Sequence, residues 1–450
     1  MTIITTTRPL LLSRRKVMKS LNLQTAVAFS VMTFKTNAMC GHDLSQSFDY
    51  TPPVWAKDSF SKFPKHGRLQ LSNLPTPLYK LSSKANHDDS SILKKLEAMG
   101  ISLYVKRDDM SGGVETGGNK IRKLEFLLAD ALARDYTAVV TIGGEQSNHC
   151  RATAAAARMV GLGPHLILRT KRADNVQKDP NEIGFTGNVL FDRMVGSQIY
   201  TCTPGEYGRM GSQEMVSRLC KHLTQRDGEC KPYPIPVGGS NGIGTWGYIN
   251  GVEEMLAQWG SIESEPSLDH VVFACGSGGT AAGIGLGLAL AHQDTNKGAP
   301  PGIHAIGVCD SPDYFYGHVA KIADEMGFHQ EGKDAGSTED FVRKALLVHQ
   351  GKGLGYAVST PEELDFITKF AVETGIVLDP VYSGKALYQF VQEVLETDEG
   401  EKFRGKNVLF WHTGGALGLF EQAKTLNFLS SAKRLDIYGK DLENGIDISD

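Results

Sequence analysis

The sequence predicts an α/β fold in which parallel β-strands alternate with α-helices. Short apolar runs recur along the chain, and helical patterns of about 10 to 15 residues separate them, which is typical of βαβ units. Glycine pairs follow several of these runs directly, and 50 of the 450 residues are glycine, above the roughly 7% that is usual. Because glycine has no Cβ atom, the backbone can approach a ligand closely at these strand ends.

The predicted elements follow one another in a regular order. Strands are predicted at residues 138–142, 165–169, 198–201, 271–274, 304–308 and 407–411. Helices are predicted at residues 121–132, 147–159, 245–258, 280–293, 361–374 and 384–396. Residues 43–100 are interpreted as an extended, Pro- and Ser-containing approach to the first core element.

Composition excludes several classes of protein. The chain has 47 basic and 51 acidic residues, a net charge of −4, whereas a general nucleic-acid binder shows a basic face. No run of about 18 apolar residues is present, so no membrane-spanning helix is expected. Seven scattered cysteines without a C-x-x-C pair or an H-E-x-x-H motif predict neither a disulfide framework nor a metal site. Neither nucleic acid nor a membrane is therefore an expected partner.

Residues 1–42 differ from the rest of the chain. They contain six basic residues and no Asp or Glu, so the net charge of −4 averages a leader of +6 with a body of −10. An acid-free segment with Arg, Ser and Thr is typical of organelle transit peptides. Two alternatives stay open, a secretory signal with its basic region at residues 14–16 and a disordered tail.

The first segment with chemical potential is Gly117-Gly118-Asn119-Lys120, which leads into a predicted helix. The helix dipole disfavours a cation at this position, and a lysine with a lowered pKa is suited to Schiff-base chemistry because the free amine is the nucleophile. The alternative is a solvated lysine in a basic first turn with Arg122 and Lys123.

The second segment, residues 143–149, joins a strand to a helix and contains Ser147, Asn148 and His149. Ser147 or Asn148 can cap the helix, and free N–H groups at such an end bind a carboxylate or a phosphate. A hydrolase with Ser147 and His149 is an alternative, although adjacency in sequence does not establish a nucleophile–base pair. Plain capping is a further alternative.

The third segment, Cys275 to Thr280, is a glycine-rich turn between a strand and a helix. Such a turn holds a phosphate with its backbone amides, and the hydroxyls of Ser277 and Thr280 can contribute. It lacks the G-x-x-x-x-G-K-[ST] pattern of an NTPase. It matches G-x-G-x-x-G incompletely, because residue 281 is Ala. A tight packing turn is the alternative.

Three later residues complete the set of candidates. Thr413 follows the last predicted strand, where its hydroxyl can bond a ring nitrogen, and Tyr356 and Tyr382 lie in loops before helices. A phenol there can donate or accept a proton, although each tyrosine alone is equally explained as a packing residue. Taken without any resemblance, these motifs favour a nicotinamide-dependent dehydrogenase.

The order of these motifs resembles a known family. Further matching segments lie at residues 106–112, 184–188, 236–240 and 244–248. Together they resemble the fold-type II (tryptophan synthase β-like) enzymes that use pyridoxal 5′-phosphate. More narrowly, they are similar to the D-cysteine desulfhydrase and 1-aminocyclopropane-1-carboxylate deaminase group. The similarity extends from about Tyr50 to Leu419.

The resemblance implies a role for each candidate residue. Lys120 would bind the cofactor as a Schiff base, Asn148 would bond its ring oxygen, and Thr413 would face its ring nitrogen. The phosphate would lie in the loop formed by Gly276, Ser277, Gly278, Gly279 and Thr280. Substrate would contact Ser147, Asn148, His149, Tyr356 and Tyr382, and the catalytic residues would be Lys120, Ser147, Tyr356 and Tyr382.

The resemblance also implies a reaction, the β-elimination of D-cysteine to pyruvate, ammonia and hydrogen sulfide. Ser383 and Thr413 stand where the deaminases are expected to carry Glu and Leu, and a serine cannot serve as the additional base suited to opening a cyclopropane ring. The alternatives are the deaminase and another D-amino-acid lyase or racemase. Intact Lys120, Ser147, Tyr356 and Tyr382 disfavour a non-enzymatic ligand-binding descendant, and the departure at residues 113–116 leaves the substrate range open.

The implied architecture has two open, twisted, mostly parallel sheets flanked by helices, with the cofactor between a large and a small domain. The large domain is expected at residues 43–122 plus 236–450 and the small domain at 123–235, behind a leader of residues 1–42. We expect a homodimer that acts on a small-molecule amino acid and uses no metal. Its expected location is the mitochondrion, with a plastid second and the cytoplasm third.

Overall fold

The computed structural model describes most of the chain after the leader. The described residues are 43–83, 91–263, 266–295, 299–330, 336–426, 428, 432–436 and 445–447. The predicted leader at residues 1–42 lies outside them.

The strands form two main sheets, in which most pairs are parallel, and one two-stranded sheet of residues 434–436 and 445–447. The strands are β1 Leu78–Lys80, β2 Ser102–Arg107, β3 Ala138–Gly144, β4 Gly163–Arg169, β5 Gln198–Cys202, β6 Pro232–Pro234, β7 His270–Cys275, β8 Gly302–Gly307, β9 Leu347–Gln350, β10 Asn407–His412, β11 Arg434–Asp436 and β12 Gly445–Asp447. The larger sheet has the order β1-β2-β10-β7-β8-β9, and the smaller has β5-β4-β3-β6. In the larger sheet β1 pairs antiparallel with β2, and the other strand pairs in both sheets are parallel.

Helices cover the faces of both sheets. They are α1 Val54–Lys57, α2 Ile92–Ala98, α3 Lys120–Ala133, α4 Asn148–Met159, α5 Ala173–Lys178, α6 Gly187–Met194, α7 Pro204–Met210, α8 Ser212–Arg226, α9 Gly242–Trp259, α10 Gly279–Thr295, α11 Pro312–Glu325, α12 Thr338–Ala345, α13 Pro361–Thr374, α14 Ser383–Glu396 and α15 Leu419–Gln422. Within the described residues, no helix is both long and apolar enough to cross a membrane.

The α/β class and its parallel sheets confirm the prediction from the sequence. Each predicted strand and helix is present, with ends shifted by a few residues. The interpretation of residues 43–100 as an extended approach is wrong, because this region contains α1, β1 and α2. These elements are too short to show a clear hydrophobic period, and α2 is set by the Ser91 hydroxyl, which accepts a hydrogen bond from the Lys94 N–H at 3.3 Å.

Close packing between α9 and α3 holds the first turns of α3 in place. A Cβ atom at Gly247 of α9 would lie 2.2 Å from the carbonyl oxygen of Arg122 in α3, so only glycine permits this approach. The buried side chains of Trp246 and Tyr248 belong to the same core cluster. Contact with α9 therefore fixes the position of the start of α3.

The two sheets relate simply to the predicted domain ranges. Strands β3 to β6 all fall within residues 123–235, and β1, β2 and β7 to β10 fall outside them. Helix α3 crosses the proposed boundary at residues 122 and 123. The exact domain boundaries stay a prediction.

Asp192 of α6 is a buried carboxyl that carries a prediction about stability. Among the described residues neither of its oxygens has a hydrogen-bond partner. Burial raises the pKa of this carboxyl well above its usual value, although the nearby Arg151 lowers it. The folded protein therefore holds the Asp192 proton more tightly than the unfolded chain, and the stability from that proton is lost as pH rises through the folded pKa.

We expect Asp192→Asn to stabilise the protein by about 1–3 kcal/mol at weakly alkaline pH, since the amide removes a costly buried charge. Near the pKa of an unfolded aspartic acid, about pH 4, the gain should disappear. Urea unfolding at several pH values measures this, with the exposed Asp174→Asn as the control. A loss of stability at alkaline pH would instead show that ionised Asp192 pairs with Arg151.

Candidate active site

A cavity of about 950 Å³ opens where the carboxyl ends of β3, β4, β7 and β10 meet. It gathers the motifs that the sequence scatters over almost 300 positions, from Lys120 to Thr413. The predicted site residues that line it are Lys120, Ser147, Asn148, His149, Gly276, Ser277, Gly278, Thr280, Tyr356, Tyr382 and Thr413. Gly279 lies between two of these residues, and its N–H donates to the Ser240 hydroxyl at 3.1 Å.

Lys120 is the first residue of α3, and its amine faces the cavity. Burial lowers the pKa of Lys120 to about 8, with Asp379 opposing that shift and Arg151 adding to it. The solvated basic turn considered from the sequence is wrong, because Arg122 and Lys123 are both 1% exposed. About half of the Lys120 amines are therefore uncharged near pH 8.

Asn119 joins three parts of the site and was not singled out from the sequence. Its Oδ1 accepts from Lys120 Nζ at 2.8 Å, and its Nδ2 donates to Thr280 Oγ1 at 3.1 Å. Its backbone N–H donates to the Thr413 carbonyl at 3.0 Å. The lysine, the glycine-rich loop and the end of β10 are thus held by one residue, whose signal was its place between glycine and lysine.

Ser147 and Asn148 open helix α4 at the cavity wall. Ser147 caps this helix, since its Oγ accepts from the Cys150 N–H at 3.2 Å. Asn148 Oδ1 accepts from Asn188 Nδ2 at 3.1 Å. Its amide N–H₂ has no hydrogen-bond partner among the described residues and can donate to a ligand.

His149 is buried beside them but is engaged elsewhere. Its Nε2 lies 2.8 Å from Thr141 Oγ1 and its Nδ1 lies 3.4 Å from Thr153 Oγ1. Burial, followed by the charge of Lys120, holds the pKa of His149 well below its usual value. Ser147 and His149 therefore form no nucleophile–base pair, and the hydrolase alternative is wrong. Contact of His149 with substrate stays a prediction.

The loop from Gly276 to Thr280 connects β7 to the start of α10, whose first turn contains no acidic residue. A Cβ atom at Gly276 would lie 2.9 Å from the Tyr382 ring, so a glycine keeps this part of the cavity open. Behind the loop, the Ser240 hydroxyl donates to Ser277 Oγ at 2.8 Å, and the buried Lys123 amine donates to the Gly238 carbonyl at 3.1 Å. Backbone N–H groups and a helix N-terminus suit a phosphate group.

Tyr356 and Tyr382 form a pair, with their hydroxyl oxygens 2.8 Å apart. Burial raises the pKa of both phenols, and their mutual hydrogen bond lowers that of Tyr356 while raising that of Tyr382. Both phenols are therefore protonated at neutral pH, and one can pass a proton to the other. As a pair they can donate a proton into the cavity.

Ser383, next to Tyr382, does not line the cavity. Its hydroxyl donates to Asp379 Oδ1 at 2.5 Å and its N–H donates to the same oxygen at 2.7 Å. The side chain is fully buried. Residue 383 is therefore a serine that bonds Asp379, and it brings no carboxylate of its own to the cavity.

These features fit an aromatic aldehyde that carries a phosphate ester. The aldehyde requires a lysine amine, which Lys120 supplies, and the phosphate requires an N–H-rich turn, which residues 276–280 supply. The free amide of Asn148 and the hydroxyl of Thr413 can bond ring atoms. Over the described part of the chain, no group of three or more His, Cys, Asp or Glu side chains is placed to hold a metal ion.

A family model described as "Pyridoxal-phosphate dependent enzyme" matches residues 69–414. A bifunctional D-cysteine desulfhydrase/1-aminocyclopropane-1-carboxylate deaminase, mitochondrial, of Arabidopsis thaliana is 41% identical over 389 residues, which cover 86% of this chain and 88% of that protein. A D-cysteine desulfhydrase of Serratia proteamaculans is 32% identical over 81% of this chain and 97% of its own length.

Two further comparisons carry the deaminase name. A putative 1-aminocyclopropane-1-carboxylate deaminase of Thermotoga maritima is 38% identical over 80% of this chain and 99% of that protein. The crystal structure of an ACC deaminase homologue superposes with a TM-score of 0.61 at 31% identity, covering 80% of this chain and 94% of the other.

Proposed function

The chain belongs to the pyridoxal-phosphate dependent enzyme family, and we propose that within it the protein catalyses β-elimination of D-cysteine to pyruvate, ammonia and hydrogen sulfide. The observation that carries this proposal is the cavity itself. It is lined by a lysine amine, by a hydrogen-bonded pair of tyrosines and by a glycine-rich turn suited to a phosphate, and residue 383 is a serine. The names of the Arabidopsis and Serratia relatives support it.

Pyridoxal 5′-phosphate is the cofactor, and when bound it supplies an electron sink for the bonds at the substrate Cα atom. Lys120 would attach it, residues 276–280 would hold its phosphate, and Asn148 and Thr413 would bond its ring. A neutral hydroxyl at Thr413 does not enforce protonation of the ring nitrogen, which suits elimination over transamination.

Helix α4 would orient the substrate, and two groups would move protons, one to remove a proton from Cα and one to protonate the leaving sulfur. The first N–H groups of α4 are unused within the helix, so with Ser147 they would bind the substrate carboxylate. The Lys120 amine, with its pKa near 8, would take the proton from Cα. The hydroxyl of Tyr356 or Tyr382 would give a proton to the leaving sulfur.

The deaminase is the second candidate, because relatives from Arabidopsis and Thermotoga carry that activity in their names. The deciding experiment measures sulfide, pyruvate and 2-oxobutyrate formed by the cofactor-loaded protein from D-cysteine, L-cysteine and 1-aminocyclopropane-1-carboxylate. Sulfide and pyruvate from D-cysteine alone are expected. Turnover of the cyclopropane acid without sulfide release would overturn the proposal. With D-serine as an additional substrate, racemisation or dehydration without sulfide release from D-cysteine would indicate another activity of the same cofactor class.

The lowered pKa of Lys120 predicts how the cofactor is taken up. Only the neutral amine attacks an aldehyde, so the rate of reconstitution of the apoprotein should rise with pH and level off above about 8. Stopped-flow absorbance after mixing apoprotein with pyridoxal 5′-phosphate measures this rate. A rate that continues to rise to the pKa of an ordinary lysine, about 10.4, would contradict the desolvated amine.

We also propose that the protein is mitochondrial and forms a homodimer. The acid-free residues 1–42 and the mitochondrial designation of the Arabidopsis relative support the location. Fusion of residues 1–42 to a fluorescent protein tests the first proposal, and sedimentation of the purified protein tests the second. Large and small domains at residues 43–122 plus 236–450 and 123–235 remain part of the proposal.

A further inference from the structure

Arg169 is a cation in the cavity wall that the proposed reaction does not yet use. It is the last residue of β4 and pairs in register with Gly144 of β3, so it lies one strand away from the segment that leads to Ser147. Its side chain is half-buried. The sequence contained a signal for this residue, because an arginine ends an otherwise apolar predicted strand.

Two aromatic rings hold the Arg169 guanidinium. Its central carbon lies 4.7 Å from the centre of the Tyr207 ring and 5.6 Å from the centre of the Tyr356 ring. A guanidinium that stacks on aromatic rings contacts them with its flat face, and its N–H donors point outward in its own plane. Tyr356 is also the partner of Tyr382, so Arg169 lies beside the proton-donating pair.

No carboxylate neutralises Arg169 within the part of the chain that the structure describes. The adjacent acid Glu145, whose backbone N–H donates to the Arg169 carbonyl at 3.1 Å, has its carboxylate bonded to Arg172 and Thr170. The two acids that line the cavity, Asp310 and Glu325, form no ion pair with Arg169. A half-buried cation without an acidic partner is suited to bind an anion from the cavity, because a planar donor fork matches carboxylate and phosphate oxygens.

We propose that Arg169 binds a negatively charged substituent on the substrate Cβ atom and thereby selects D-amino acids with an anionic or ionisable group at that position. This rests on the proposed function, in which α4 already binds the substrate carboxylate and leaves Arg169 for the side chain. In the elimination the Lys120 amine would take the Cα proton, the electron pair of the C–H bond would form the Cα=Cβ bond, and the Cβ–S bond would break with its electron pair going to sulfur. The Tyr356–Tyr382 pair would give the departing thiolate sulfur one proton, so that it leaves as hydrosulfide beside the guanidinium and no oxidant is needed.

The test compares the binding of D-aspartate and D-asparagine, which have nearly the same shape but differ in side-chain charge. Titration of the cofactor's visible absorbance gives both dissociation constants. The wild type should bind D-aspartate at least about tenfold more tightly, as expected for a charge-assisted pair. In Arg169→Gln the ratio should fall to about one, and Arg169→Lys should restore part of it.

Arg134→Gln is the matched control, because Arg134 is exposed, lies at the end of α3 and pairs with Asp130. It removes the same charge and should keep the wild-type ratio. A wild type without preference, or an Arg169→Gln variant with an unchanged ratio, would overturn the inference. If Arg169→Gln does not fold, Arg169→Lys carries the test. A preference for D-aspartate below that of Arg134→Gln supports the subsite, and a preference equal to it overturns the inference.

Failure of this inference is distinguishable from failure of the proposed function. Sulfide release from D-cysteine by the wild type, together with an unchanged ratio in Arg169→Gln, leaves the function standing and rejects the subsite. Absence of sulfide release from the wild type rejects the function, whereas the two dissociation constants still report whether Arg169 binds an anion.

Discussion

Lys120→Ala is expected to lower the release of sulfide and pyruvate from D-cysteine by at least about a thousandfold, because in the proposed function Lys120 is both the anchor of the cofactor and a proton carrier. The amine faces the cavity and bonds to Asn119. Among the described lining residues, Lys120 alone combines a lowered pKa near 8 with this place between the glycine-rich loop and Thr413. Alanine at the first position of a helix is well tolerated, so the fold should persist.

Two measurements accompany the activity assay for this variant. The visible absorbance of the cofactor-loaded protein should be lost, and circular dichroism should match the wild type. Lys62→Ala, at an exposed position outside the cavity, is the control and should keep both colour and activity. Retained colour in Lys120→Ala would reject this lysine as the anchor.

Glu254→Gln is expected to destabilise the protein by about 3–5 kcal/mol, the range for removal of one partner from a buried ion pair. Glu254 Oε1 accepts from Lys106 Nζ at 2.5 Å and from Arg122 Nη2 at 2.9 Å. Arg122 also bonds Asp108 at 2.8 Å. Two cations and two anions therefore balance in the core, and the neutral amide leaves one positive charge without compensation.

The loss should be visible in urea unfolding and in retention of the cofactor. Arg122 lies two residues after Lys120 in the first turn of α3, so loosening the cluster should also weaken the attachment point. Glu214→Gln is the matched control, because Glu214 forms an exposed pair with Arg218 and such pairs contribute about 0–1 kcal/mol. Equal effects of the two substitutions would show that the buried cluster is not a stability determinant.

Local sequence pattern was enough to predict the alternating strands and helices of the two main sheets. A strand such as β7, with its apolar run, its glycine-rich turn and the helix that follows, is specified by neighbouring residues, and so is the candidate phosphate loop. The capping role of Ser147 was also predictable, because it depends on an N–H three residues away.

Long-range burial was not predictable in this way. Lys123 has the sequence surroundings of a solvated lysine, yet α9 and the loop after β6 cover it. The bonds of Asn119 reach Thr280 and Thr413, and the place of Arg169 between two rings depends on residues 207 and 356. These contacts form only when segments far apart in sequence come together, so no local hydrophobic pattern predicts them.

The position of β10 in the larger sheet has a consequence for how the protein is made. In chain order β10 is the last strand of the larger sheet, yet it lies between β2 and β7 near the middle of that sheet. Until residues 407–412 arrive, β2 and β7 each present an unpaired edge, and exposed strand edges favour association with other chains. A nascent or prematurely terminated chain that lacks residues 407–412 therefore has two unpaired strand edges in its larger sheet, and synthesis of β10 is needed to pair them.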